Sequence, residues 1–412
     1  MKSNYGNNFN YTLFGESHSD AIGITVQGLP IGFAPDFRHV DDKLAMRMGG
    51  AIFNTPRREK SEYEIVCGLY QGKFTGTPVT VIFKNKNIKS QDYENILAIS
   101  RPGHADYTGN KKYRGFNNPN GGGHFSGRMT TPLVFLGAII EQIITAEFPD
   151  FKIATHIRNF GQYTDDDYYQ KREILIKKLM TEKNISYDDF TKVDSDVQVE
   201  VIEEINKIKN NLADEFKSLG ESFPCLDKKI AIKMQKLAID TKSLGDTLGG
   251  RLETVVFNAP KFIGEPFFNS VESIITSLLF SIPSIHGVSF GPIEEFMIKT
   301  GYLVRDEIWS YDGENIITPM NYNSGINGGI TNGEEIVINT VIKPISSLGK
   351  VQSSYNFESN RVEVLEINGR HDSTIINRVI PVVDAMINLA IYGLMKDKCD
   401  WYNNFNNILF SI

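Results

Sequence analysis

Cysteine is nearly missing from this chain: there are three in 412 residues, Cys67, Cys225 and Cys399, far apart and without a CxxC spacing. That excludes a disulfide framework and a thiolate zinc site, and points to a reducing compartment, the cytoplasm. The opening MKSNYGNNFN lacks the apolar core of a leader peptide. The greasiest stretches, Leu133 to Ile144 and Val379 to Met395, contain Glu141 and Asp384 and stop well short of a bilayer span, so no membrane segment is expected. GxGxxG, GxxxxGKS/T, HExxH and HxH are all absent. Their absence leaves no Rossmann dinucleotide site and no P-loop, and removes the ligand spacing that a His/Asp metal hydrolase needs. Basic residues are also in deficit, 43 against 50 acidic, for a net charge of −7. Such a balance argues against a surface built for nucleic acid or an anionic membrane, while leaving room for a local basic pocket.

What is present is a chain long enough for one large core with an insertion. Short β-type runs, Phe9 to Phe14, Ile22 to Gln27, Tyr63 to Tyr70 and Val79 to Phe83, are broken by Gly and Pro and interrupted by one helix-like segment, Phe37 to Met48. Leu133 to Phe148 reads as a buried helix. Strand patterns return at Arg251 to Phe257, Ile285 to Phe290, Glu335 to Ile342 and Arg361 to Ile367, and the chain closes on a long helical pattern, Ile375 to Lys396. Between them, Gly161 to Gly220 carries 14 acidic and 9 basic residues with helical spacing, which predicts a charged, mostly helical, solvent-facing insertion within a single domain of residues 1–412. The alternation of antiparallel-type strands with a few long helices predicts an α+β fold.

Four of the seven histidines sit in glycine-containing turns: His18 in FGESHSD, His104 in RPGHADYTG, His124 in GGGHFSGR and His371 in NGRHDS. A histidine so placed is accessible and titrates near neutrality, as general acid work requires. Arg101, Arg128 and Arg370 stand three, four and one residues from these histidines, and guanidinium forks grip phosphate and carboxylate. The pattern points to a polyanionic small ligand. GDTLGG, NSGINGGITNG and KPISSLGK read either as backbone nests for an anion or as tight hairpins.

The order of these blocks, FGESH, TPRRE, RPGHADYTG, GGGHFSGR, GDTLGG, SIPSIHGVSFG, SGINGGITNG, KPISS and GRHD, resembles chorismate synthase from Phe14 to Asp372. The resemblance implies antiparallel sheets sandwiched with long helices and an anti 1,4-elimination of phosphate from 5-enolpyruvylshikimate 3-phosphate. It also implies reduced FMN, which carries the difficult chemistry while the protein supplies position, charge and protons. On the same basis His18 would protonate the departing phosphate and His104 would keep the reduced flavin correctly protonated or hold its ring in place. Asp372 would help flavin N5 accept the substrate proton, with Ser17 and Ser126 relaying protons nearby. Arg47, Arg101, Arg128 and Arg370 would bind substrate. The flavin would meet His124, Phe125, Ser126, Pro283, Ser284, Gly328, Lys343, Pro344, Ile345, Ser346, Ser347 and Arg370. Members are commonly homotetramers, and with no nicotinamide motif visible an external flavin reductant is expected.

The chain departs from the family pattern in four places. AMRMGGAIFN stands where the family has a basic cluster, leaving Arg47 between Met46 and Met48; Arg57 or Arg58 could fold inward as a replacement cation. GRHDP becomes GRHDS at Ser373, an asparagine becomes Arg305 in LVRDE, and a glycine becomes Ser324. The thinned basic loop makes a weakened or non-catalytic flavin-binding homologue the rival reading.

Overall fold

The computed structural model describes residues 1–48, 62–85, 98–220, 223–367 and 372–409, with side chains as far as 397. β1 (Asn4–Tyr5), β2 (Asn10–Gly15) and β3 (Ala21–Gln27) form a meander, and Ile22, Ile24 and Val26 bury one face of β3 at the strand period. α1 (Phe37–Met48) follows and buries Val40, Leu44 and Arg47 at helical spacing. β4 (Tyr63–Cys67), the small hairpin β5 (Leu69–Tyr70) and β6 (Lys73–Phe74), and β7 (Val79–Lys84) come next. They complete an antiparallel sheet ordered β1-β2-β3-β7-β4.

α2 (Asp106–Lys112) and a glycine turn lead to α3 (Thr131–Glu147), which starts with Pro132, a residue whose fixed φ suits a first helical turn. Then come β8 (Lys152–Phe160), β9 (Tyr163–Thr164), α4 (Tyr168–Glu182), α5 (Ser195–Lys217), α6 (Lys228–Ser243) and β10 (Gly250–Phe257). α7 (Val271–Phe280), β11 (Ile285–Phe290) and α8 (Ile293–Ile298) precede two hairpins, β12 (Ser310–Tyr311) with β13 (Ile316–Ile317) and β14 (Ile326–Asn327) with β15 (Ile330–Thr331). β16 (Ile336–Ile342), the hairpin β17 (Gln352–Asn356) and β18 (Arg361–Leu365), and α9 (Ile376–Leu409) finish the chain. The second antiparallel sheet is ordered β11-β16-β10-β8-β9.

The helices form the middle layer. α3 packs on β3 of the first sheet, α9 on β8 and β10 of the second, and α3 and α9 on each other. Their approach depends on Gly137, where a Cβ would stand 2.3 Å from the Cβ of Ala385. One apolar cluster therefore runs from Phe9 through both sheets to Met395. Asn120–Glu147 and Ile376–Asp397 are long and apolar enough to cross a membrane, but 78% of each apolar window is buried inside the fold, so they are core helices. The α+β sandwich anticipated from the sequence is what the chain forms.

The charged segment from Gly161 to Gly220 needs a correction. It is helical, as α4 and α5, but it is more than a solvent-facing appendage. Leu252, Val256, Ile336 and Ile338 face the central helices, so the alternation of β10 and β16 sends Val255, Phe257 and Val337 to the other side. There Tyr168, Tyr169, Leu212 and Phe216 of the segment cover them. His156, wholly buried on that face, sits 3.0 Å from Glu253 and 3.4 Å from Asp165. Burial alone would strip its proton, but the two carboxylates outweigh burial and raise its pKa above the usual histidine value. Arg172, equally buried, donates to Glu334 and Glu335 and to the carbonyls of Thr318 and Pro319. Arg305, the residue in place of the family's asparagine, lies 3.7 Å over the Tyr302 ring and holds Asp188 of the segment at 2.7 Å.

Candidate active site

Residues 101–106 build the first wall. Arg101 gives Nε to Asp106 Oδ2 at 2.7 Å, Nη2 to Asp106 Oδ1 at 2.8 Å and Nη1 to Ser347 Oγ at 3.0 Å. His104 Nδ1 lies 2.5 Å from Asp106 Oδ1. Burial would raise the Asp106 pKa, yet hydrogen bonds from Arg101 and His104 hold the carboxyl well below its usual range. Arg101, expected to bind substrate, thus lines the cavity with its fork already committed to its own chain.

The glycine turn is the second wall. Gly121, Gly122 and Gly123 all have positive φ, a conformation costly for any side-chain-bearing residue. A Cβ on Gly121 would stand 2.6 Å from His18 Nε2, so the glycine makes the room that His18 occupies. Gly123 accepts from the Ser17 amide at 3.2 Å, fixing the GESH turn to this loop. His124 Nδ1 is 3.2 Å from the Gly15 carbonyl. Ser126 Oγ accepts from the Arg128 amide as a helix cap, while the Phe125 ring packs where a Cβ on Gly109 would lie.

A cluster of cations floors the site. Arg47 donates Nε to Thr130 Oγ1 at 2.9 Å and Nη2 to the Gly127 carbonyl at 2.6 Å, both neutral oxygens. Burial, then the nearby guanidiniums of Arg378 and Arg128, pull its pKa down to about 9. Arg128 donates to Asn85 at 3.3 Å. Arg378, in the first turn of α9, gives Nη1 to Asp372 at 2.6 Å and Nε to the Arg47 carbonyl at 3.1 Å. Three arginines so close favour an anion among them.

The last wall follows β16. The Lys343 amide donates to Ser284, whose φ is +76°, and its Nζ donates to the Gly103 carbonyl at 2.7 Å. Thr247 Oγ1, from GDTLGG, braces the Ile345 carbonyl at 2.9 Å, so that block supports the turn as a hairpin-like prop. These walls enclose a cavity of about 760 Å³. It brings together Ser17, His18, Arg47, Arg101, His104, His124, Phe125, Ser126, Arg128, Pro283, Ser284, Lys343, Ile345, Ser346, Ser347 and Asp372. Pro344 lies within the same turn. Gly328 does not join them: it sits in the turn between β14 and β15, outside the cavity wall. Arg57, Arg58, Arg370 and His371 lie outside the described residues.

Asp106, Arg378, Asn85 and His286 line or support the cavity and were not singled out from sequence. Asp106 stood inside a quoted motif, two residues from its histidine. Arg378 is six residues beyond Asp372, in a stretch whose apolar spacing reads only as core helix.

A family model described as chorismate synthase matches residues 9–395. A chorismate synthase from Methanocaldococcus jannaschii is 32% identical over 397 residues, covering 96% of each chain. One from Dehalococcoides mccartyi is 32% identical, covering 96% of each. One from Lancefieldella parvula is 30% identical over 99% of this chain and all of its own. A crystal structure of chorismate synthase superposes with a TM-score of 0.65 over 96% of this chain and 93% of its own, at 19% identity, which shows a shared fold. Motif order, architecture and whole-length similarity converge: this chain belongs to the chorismate synthase family, lyases of aromatic amino acid biosynthesis that eliminate phosphate from 5-enolpyruvylshikimate 3-phosphate.

Proposed function

We propose that the chain retains a complete elimination site, and that the Arg47, Arg128 and Arg378 cluster beside His18 and Asp372 is the feature that carries it. The substrate's phosphate and carboxylates would take the arginine cluster as counter-charge. A guanidinium from α9 would then do the work expected of the cations that the thinned basic loop lacks, which weighs against the non-catalytic rival. His18, cradled by Gly121, would donate a proton to the departing phosphate. Asp372, paired with Arg378, would help the flavin N5 take up the ring proton, with Ser17 and Ser126 lining the same cavity.

The cavity suits reduced FMN as the cofactor. Lys343, Ser346 and Ser347 offer donors for a phosphate and ribityl chain, Phe125, Ile345 and Pro283 offer apolar walls for a ring, and about 760 Å³ falls within the range of sites that bury small ligands. When bound, reduced flavin supplies electron density to the breaking bond. We further place the enzyme in the cytoplasm, as a homotetramer fed by an external reductant, in line with the family's habits and the separated cysteines.

An anaerobic assay with photoreduced FMN tests this directly. Phosphate should be released from 5-enolpyruvylshikimate 3-phosphate, and His18→Ala and His104→Ala should each lower turnover about 10²-fold or more with the fold intact. Flavin binding without phosphate release would sink the reading. NADPH alone, without photoreduction, should give no turnover if the reductant is external.

A further inference from the structure

His104 is a candidate proton-handling side chain gripped from behind by a complete ion pair. Asp106 accepts from the Arg101 amide at 3.1 Å, from Arg101 Nε at 2.7 Å and Nη2 at 2.8 Å, and faces His104 Nδ1 at 2.5 Å. The side chains of Arg101 and Asp106 are 5% and 9% exposed, that of His104 20%, so the pair is sealed while the ring keeps a face to the cavity. Arg101 Nη2 stands 3.0 Å from Nδ1 and 3.2 Å from Nε2. In the ring plane a point so placed would stand only about 2 Å from the carbon between the two nitrogens, which is a steric clash. The guanidinium nitrogen therefore lies over the ring face and does not use up the lone pair of Nε2. The whole unit is braced twice from the wall beyond β16, by Ser347 Oγ on Arg101 and by Lys343 Nζ on the Gly103 carbonyl.

We propose that Asp106, held by Arg101, is a positioning residue that keeps the His104 proton on Nδ1 and aims Nε2 into the cavity. A neutral imidazole has one donor and one acceptor nitrogen, and the partner of one decides the role of the other. Asp106, ionised and unable to donate, accepts from Nδ1–H and so makes Nε2 the working atom. Arg101 then acts through Asp106 and not on the substrate, which reassigns it from the ligand-binding arginines. The inference rests on the reading of His104 as a group that serves the reduced flavin.

The test is Asp106→Asn in the full chain. Asparagine keeps the shape but turns an N–H donor toward the ring, which inverts the tautomer. Nitrogen-15 NMR of the histidine rings in flavin-free protein should show Nδ1–H for His104 in the unaltered chain and Nε2–H in the variant. In the anaerobic assay kcat should fall about 10²-fold with KM within about threefold, because ring orientation is lost and substrate contacts are not. Arg101→Lys, which keeps a cation beside Asp106, should retain the Nδ1–H signature and lose less activity. An unchanged tautomer in Asp106→Asn, or a raised KM with kcat preserved, overturns the proposal. An unaltered chain that is inactive yet shows His104 locked as Nδ1–H supports the positioning role and counts against the catalytic reading instead.

Discussion

Arg378 reaches two ways from the first turn of α9, Nη1 to Asp372 and Nε to the carbonyl of Arg47. It thereby joins the carboxylate of the site to the end of the helix that carries the buried arginine. Arg378→Gln should weaken substrate binding about thirtyfold, the effect of losing one charge-assisted contact of about 2 kcal/mol, and Arg378→Lys should recover part of it. KM in the anaerobic assay reads both. The other departures from the family pattern are absorbed locally. Ser324 takes a left-handed φ of +60° and its hydroxyl closes on the amide and carbonyl of Val337, while Ser373 Oγ donates to the Ala238 carbonyl at 2.9 Å. The histidines of the site were legible because glycine turns advertise them. Asp106 and Arg378 were not, because one acts only through a neighbour and the other approaches Arg47 from 331 positions away.

At the scale of elements, periodicity told most where one environment dominated. Phe37 to Met48 is the helix its spacing predicts, and Ile285 to Phe290 the strand. β8 went unread because KIATHIRNF buries Thr155 toward α9 and His156 toward α5, so polar residues break the expected alternation on both faces. The price of that arrangement falls on Asp384, which accepts from Thr155 Oγ1 at 2.5 Å inside the helical layer. Burial pushes its pKa up to about 6. Between the unfolded value near 4 and that folded value the native state holds the extra proton, so stability declines as pH rises through this window. Asp384→Asn should therefore stabilise the chain at pH 7.5, by no more than about 3 kcal/mol, with the gain vanishing near pH 4. Urea unfolding at the two pH values measures it.

Over the whole molecule, the net charge of −7 and the arginine-floored cavity are compatible because the acid is carried outside. Gly161 to Gly220 alone holds 14 of the 50 acidic residues, and Glu182, Glu200 and Asp188 face solvent on α4, α5 and the turn between. Inside, burial first, and then the like charges of Arg378 and Arg128, lower the pKa of Arg47. Anything anionic that binds there and not to the unfolded chain must stabilise the fold. Millimolar inorganic phosphate should raise the melting temperature of the flavin-free chain more than chloride at equal ionic strength, and Arg378→Gln should shrink the difference.

The same arrangement has a consequence for turnover. A floor of guanidiniums that draws phosphate off a ring, as proposed, would equally retain it once the bond is broken. Free phosphate should then compete with fresh substrate, and the reaction should slow as its own by-product accumulates.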